Sequence, residues 1–119
     1  MAIDKKTEEA LAACRNDYES LIAELASIGF VMQGSVVKRT KQCGRPDCPC
    51  HTDKSREHGP YYQWTRKVKA KTVTVVLTPQ QARLYQKLIA NGRRLKRLLA
   101  RLYKVSAKAA ELMLKDADA

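Results

Sequence analysis

Apolar positions along the chain change their period twice. Between Asp4 or Thr7 and Ile28, the residues Leu11, Cys14, Tyr18, Leu21, Leu25 and Ile28 recur by alternating steps of three and four, the a/d rhythm of a helix that lies against another helix. Gly29 is expected to end it as a C-terminal cap. Cys14 falls on this seam, which predicts a small buried apolar side chain rather than a ligand.

After Gly29 the period shortens. Ser35 to Lys41 reads as a strand, and Pro60 opens a second one, Y-Y-Q-W-T-R-K-V. In it Tyr62, Trp64, Arg66 and Val68 alternate with Tyr61, Gln63, Thr65 and Lys67, so that one face can pack while the other stays polar. The residues K-A-K turn the chain back into T-V-T-V-V-L, completing a hairpin. Three antiparallel strands are the expectation.

The helical period then returns. Thr78-Pro79-Gln80-Gln81 places a threonine at the N-cap, a proline at the first helical position and a glutamine at the third, which is a capping box. Leu84, Leu88, Asn91, Leu95, Leu98, Leu102, Val105, Ala109 and Leu112 continue the seam, so one helix is expected to reach about Leu114. Asn91-Gly92 is its weak point, since glycine costs about 1 kcal/mol in a helix interior. A lone asparagine on a seam often fixes register or oligomeric state. The pattern predicts an α+β fold in three segments: an acidic amphipathic helix over residues 1–29, a β module over 30–78 and a basic helix over 79–119, the helices pairing in a coiled-coil-like manner.

Charge sharpens that division. Residues 1–28 carry three basic and six acidic side chains, whereas residues 29–78 and 79–119 each carry ten basic and three acidic, within a net charge of +11. The last helix has Arg83, Lys87, Arg93, Arg94, Lys96, Arg97, Arg101, Lys104 and Lys108 with no acid between Pro79 and Ala110. Such a field attracts polyanions. The acidic helix is one candidate counterpart, within one chain or across a homodimer; nucleic-acid phosphate is the other. No apolar run approaches the ~18 residues of a membrane span, and M-A-I-D-K-K-T-E-E lacks a signal-peptide core, so a cytoplasmic location without membrane contact is expected.

The candidate chemistry is concentrated between Lys41 and Trp64. Cys43, Cys48 and Cys50 form C-x4-C-x-C, and a histidine follows after seven residues. Three thiolates and an imidazole are the ligand set of a closed structural zinc site. Gly44 and Pro46 suit the turn that brings Cys43 to Cys48. Either histidine can be the fourth ligand; His58 is favoured, because His51 is adjacent to Cys50 and neighbouring residues rarely reach one ion without strain. The competing readings are a disulfide, disfavoured by the closeness of Cys48 to Cys50, and an iron–sulfur cluster, disfavoured by the ligand set. A middle region of some 45 residues is too small to rest on an apolar core alone, so a metal staple makes physical sense.

The residues Lys41, Cys43, Gly44, Cys48, Cys50, His58, Gly59, Pro60, Tyr61 and Tyr62, with Trp64 and Leu77-Thr78-Pro79-Gln80-Gln81, resemble a family of short bacterial and archaeal proteins known only as a domain of unknown function. Its signature is similar to K-C-G-x3-C-x-C, a short loop, then H-G-P-Y-Y. The resemblance spans roughly residues 36–102 and implies no activity, but members of such a family tend to lie near transposases and integrases. This chain has a longer loop between Cys50 and His58, and Ala70 where glycine is usual.

These features predict a non-enzymatic, zinc-stabilised nucleic-acid-binding protein, a DNA accessory or regulatory factor associated with a mobile element, with DNA expected over RNA. The expected contacts are Lys38, Arg39, Lys41, Arg45, Arg56, Tyr61, Arg66, Lys67 and Lys69 on the β module and Arg93, Arg94, Arg97 and Arg101 on the last helix. Tyr61, Tyr62 and Trp64 are either base-stacking surfaces or the missing core. The alternative is an adaptor whose helices and basic surface grip an acidic protein; a recombinase or transposase is a candidate partner. No carboxylate pair, nucleophile with a base, or phosphate-cradling loop suggests an enzyme, and no small-molecule substrate is expected.

Overall fold

Every expected element forms, in the expected order. A computed structural model describes residues 4–118. Helix α1 spans Lys5–Ala26, strands β1, β2 and β3 span Ser35–Lys41, His58–Val68 and Lys71–Leu77, and helix α2 spans Pro79–Asp118; two short 3-10 turns, Pro49–His51 and Lys54–Arg56, lie between β1 and β2. By internal packing the chain divides into Met1–Val31 with Asn91–Ala119, and Met32–Ala90. Among the described residues, no helix is long and apolar enough to cross a membrane.

The first unit is a pair of helices. Asp4 caps α1, its carboxylate accepting from the Thr7 N–H at 2.7 Å. This hydrogen bond holds the Asp4 carboxyl below its ordinary pKa. Leu21, Ile28 and Leu98 form the buried cluster, and Leu25, Leu95, Leu102 and Val105 pack against it, each such side chain contributing roughly 2 kcal/mol. Residues late in α1 meet residues early in this part of α2, while Cys14 shares a groove with Val105. The helices therefore run antiparallel, and the pairing left open by the sequence is made within one chain. Cys14 is buried, as expected.

One detail of this unit differs from the expectation. Helix α1 ends two residues early, at Ala26 with Ser27 as its C-cap, and Gly29 takes a left-handed φ of 85° in the chain that follows. Asn91, on the seam, donates its side-chain amide to the Phe30 carbonyl at 3.0 Å, satisfying backbone beyond the end of α1. Helix α2 continues through Gly92 without a break.

The second unit is a three-stranded antiparallel sheet, ordered β1-β2-β3, followed by the first turns of α2. The capping box closes reciprocally: Gln81 N–H donates to Thr78 Oγ1 at 3.1 Å and Thr78 N–H donates to Gln81 Oε1 at 3.0 Å. Here the buried stripe of α2 is Ala82 and Ile89, with Tyr85 between them edge-on to Trp64 at 4.9 Å, and Leu84 is exposed. The seam thus does not run the full length of α2. Its early turns present a different face because they serve the sheet and not α1. Trp64 is fixed further by its indole N–H, which donates to the Gln33 carbonyl at 2.9 Å, and by the Arg66 guanidinium stacked 3.8 Å from its ring. Gly34 allows this approach: its φ is 100°, and a Cβ there would collide with the Thr65 carbonyl and Trp64 Nε1.

Val68 pairs with Lys71, so the β2–β3 loop is Lys69-Ala70, with φ of 49° and 66°. Positive φ at both positions is the demand of a type I′ turn, which asparagine and glycine meet at lower cost.

Candidate metal centre

The ends of β1 and β2 are neighbours, because Lys41 pairs with His58. Cys43 follows the end of β1, and His58 is the first residue of β2, so the sheet holds two candidate ligands close together before the intervening loop contributes any. Between Arg39–Tyr61 and Lys41–His58 the register slips. Gly59-Pro60 supplies the extra β2 residue there, and proline, without an N–H, cannot join the ladder.

The loop delivers the other two. The Cys48 N–H bonds the Arg45 carbonyl at 3.2 Å, a β-turn with Pro46 at its second position. Gly44, in contrast, has no left-handed φ, and a Cβ there would meet nothing within 4 Å; proline, not glycine, shapes this turn. Pro49 then starts the 3-10 turn that carries Cys50 inward to 1% exposure. Asp53 caps the next turn through the Ser55 N–H and hydroxyl, at 3.0 and 2.7 Å, which lowers its carboxyl pKa. The Thr40 hydroxyl donates to Glu57 at 2.9 Å, tying the loop's end to β1 just before His58. The Thr40–Glu57 contact had no signature in the sequence.

The Sγ atoms of Cys43, Cys48 and Cys50 and a ring nitrogen of His58 all lie within 4.8 Å of one another. His51 is exposed and stands outside the group. A tetrahedron around zinc, with Zn–S of about 2.3 Å and Zn–N of about 2.0 Å, has S···S edges of roughly 3.8 Å and S···N edges of roughly 3.5 Å. The Cys50 and Cys43 sulfurs are 3.7 Å apart, and Cys48 Sγ is 3.4 Å from His58 Nε2. The residues therefore fit a metal ion, and the donor set is compatible with zinc.

Local electrostatics set the thiols apart. The backbone N–H of Cys50 beside Cys48 lowers the Cys48 pKa, whereas burial pushes the Cys50 thiol up, partly offset by the Cys43 N–H that donates to its sulfur at 3.3 Å. N–H groups aimed at sulfur orient a ligand and spread its charge, the usual work of groups just outside a metal's coordination shell. A cation in the cluster would offset the cost of burying the Cys50 thiolate.

Lys38, Arg39, Lys41, Arg45 and Arg56 are exposed on β1 and the ligand loop, and Lys67 and Lys69 are exposed at the opposite end of β2, by its turn into β3. Tyr61 is half-buried beneath the Lys41 ammonium, 5.2 Å from its ring centre. Arg66 differs from the other cations: it is half-buried on Trp64, with Nη1 sealed from solvent and without a hydrogen-bond partner. In the helical unit Arg93, Arg94, Arg97 and Arg101 are all exposed.

Residues 8–87 match a family described as a domain of unknown function (DUF6788). No curated protein matches the chain, and no solved structure does.

Proposed function

Since the chain belongs to the DUF6788 family, a domain of unknown function, we propose a function from its own surfaces: a zinc-stabilised nucleic-acid-binding protein, acting as a DNA accessory or regulatory factor. The observation that carries this reading is an open face of the sheet rimmed by unneutralised cations. Cross-strand partners share a face, so Arg39, Tyr61, Gln63, Lys67, Thr74 and Val76 lie together. Val76 is 62% exposed there, while Trp64, on the opposite face, is occupied by Tyr85 and Arg66.

An aromatic ring among cations on an open sheet suits a single strand, whose bases stack on the ring while lysines and arginines follow the phosphates. Although the sequence has 12 acidic residues, few cations are paired with them among the described residues. Among the described residues the ion pairs are Arg56–Asp53 and Arg101–Glu24, both at 3.8 Å, against 23 lysines and arginines in the chain. The ion's role in this reading is structural, holding the ends of β1 and β2 so that Arg39, Lys41 and Tyr61 stay in place. The association with a mobile element rests on the signature resemblance alone.

Fluorescence anisotropy with single- and double-stranded DNA and RNA across a salt series tests the proposal. Affinity should fall steeply with salt. Tyr61→Ala should weaken single-strand binding by about 1–3 kcal/mol, and Arg39→Ala should reduce the salt slope by about one. Absent binding at low salt, or binding indifferent to salt, sinks the reading. A second reading, an adaptor for an acidic protein, draws on the exposed Arg93, Arg94 and Arg97; a stoichiometric complex purified free of nucleic acid would favour it.

A further inference from the structure

The paired helices leave one flank unfinished. At 100° per residue, the α2 seam of Leu98, Leu102 and Val105 separates two different sides. Arg94, Arg97, Arg101 and Lys104 fall on one. On the other fall Leu99, Tyr103 and Met113, all exposed, Tyr103 to 77% and Met113 to 55%. Helix α1 divides the same way: Asp17 and Ser20 line the groove shared with Arg101 and Lys104, while Leu11 and Tyr18 line the opposite groove with Met113. That second groove encloses about 340 Å³ over Cys14 and Ala109, and Ile22 is exposed farther along its α1 rim. Arg15, Glu19 and Ser106 also line that groove, at its polar edge. Two paired helices with an exposed, largely apolar flank are half of a four-helix bundle.

We propose that this flank is the interface between two copies of the chain, packed as a four-helix bundle with α1 of each copy against α2 of the other. Charge selects both the occupant and the arrangement. Helix α1 has five acidic and three basic residues, whereas residues 91–118 have eight basic and three acidic. A second copy brings the same two unlike rods, so each can lie beside its opposite. Two face-to-face twofold arrangements exist. With the axis across the helices, α1 meets α1 and the basic helix meets its twin, which charge disfavours. With the axis along the helices, α1 meets the partner's α2 at every seam, and all neighbours remain antiparallel.

Height agrees with the second arrangement. Within one helix pair Phe30 is level with Asn91, Leu21 with Leu98, and Cys14 with Val105. An axis along the helices preserves height, so Tyr18 of one copy faces Tyr103 of the other, and Ile22 faces Leu99. The exposed flank amounts to on the order of 600 Å² per copy, which brings the pair to about 1,200 Å², the lower end of specific interfaces.

Sedimentation equilibrium of the full, metal-loaded chain, after nuclease treatment and in high salt, reads the proposal without involving nucleic acid. The expected mass is twice 13.4 kDa. Tyr103→Glu should weaken the dimer by about thirty-fold or more while leaving helical circular dichroism unchanged, since Tyr103 is exposed in the single chain. Ile22→Lys and Leu99→Glu should each give monomers, and mixing the two should restore the doubled mass through a lysine–glutamate contact across the interface. A wild-type monomer at ~100 µM, a Tyr103→Glu variant still dimeric, or a mixture that stays monomeric would each overturn it. DNA binding by a protein that proves monomeric would leave the nucleic-acid reading standing while this one fails.

Discussion

The two units solve the same problem by opposite means. The helical unit buries Leu21, Ile28 and Leu98 along a seam of apolar side chains. In the sheet unit the most deeply buried side chains are Cys50 and Ala82, each at 1% exposure, with Ile89 and Leu77 less so. One is a thiol and the other a single methyl. A core so thin supplies little apolar burial, so its folding free energy has to be found elsewhere. Three cysteines and a histidine at the ends of β1 and β2 form a group that could hold a metal ion and so supply it, and the same thin core leaves Val76 exposed on an open sheet face. The helical unit has leucines along its seam instead.

The largest effect expected from this contrast is on removing the metal. A structural ion contributes on the order of 10 kcal/mol to folding at neutral pH. Chelation, or Cys50→Ser, should melt the sheet and abolish its slow hydrogen exchange while α1 and residues 91–118 stay protected. Hydrogen exchange with metal analysis checks this, and equal loss of protection in both units would erase the contrast. Next is Leu98→Ala, expected to cost about 2–5 kcal/mol; it should lower the helical melting transition and leave metal content at the wild-type level. Smallest is Ala70→Gly. Releasing one alanine from φ of 66° should stabilise the sheet unit by about 1 kcal/mol, seen as a higher denaturant midpoint for that unit alone. No gain would mean that the left-handed turn carries no strain there.

Local rules made most of this legible. The capping box at Thr78, the limits of β1, the turn at Lys69-Ala70 and the three clustered cysteines depend on residues within a few positions of one another, and the sequence displays them directly. What escaped was set by partners far along the chain. Leu84 obeys the seam's period yet is exposed, because the first turns of α2 answer to Trp64. Gly34 carries no turn signature, yet the Thr65 backbone leaves no room for a side chain there. Gly44 looked like a conformational necessity and is not one, since Pro46 and the Arg45–Cys48 hydrogen bond make the turn. Glu57 is an ordinary surface acid until Thr40 is placed beside it.

The chain has one tryptophan, and it sits against Arg66, Tyr85 and the Gln33 carbonyl, all within the sheet unit. Its emission is therefore an intrinsic, label-free gauge of that unit, blind to the leucine seam. Far-ultraviolet ellipticity, dominated by the two helices, answers mainly for the other. One cuvette and two wavelengths can follow both halves of the molecule as they come apart.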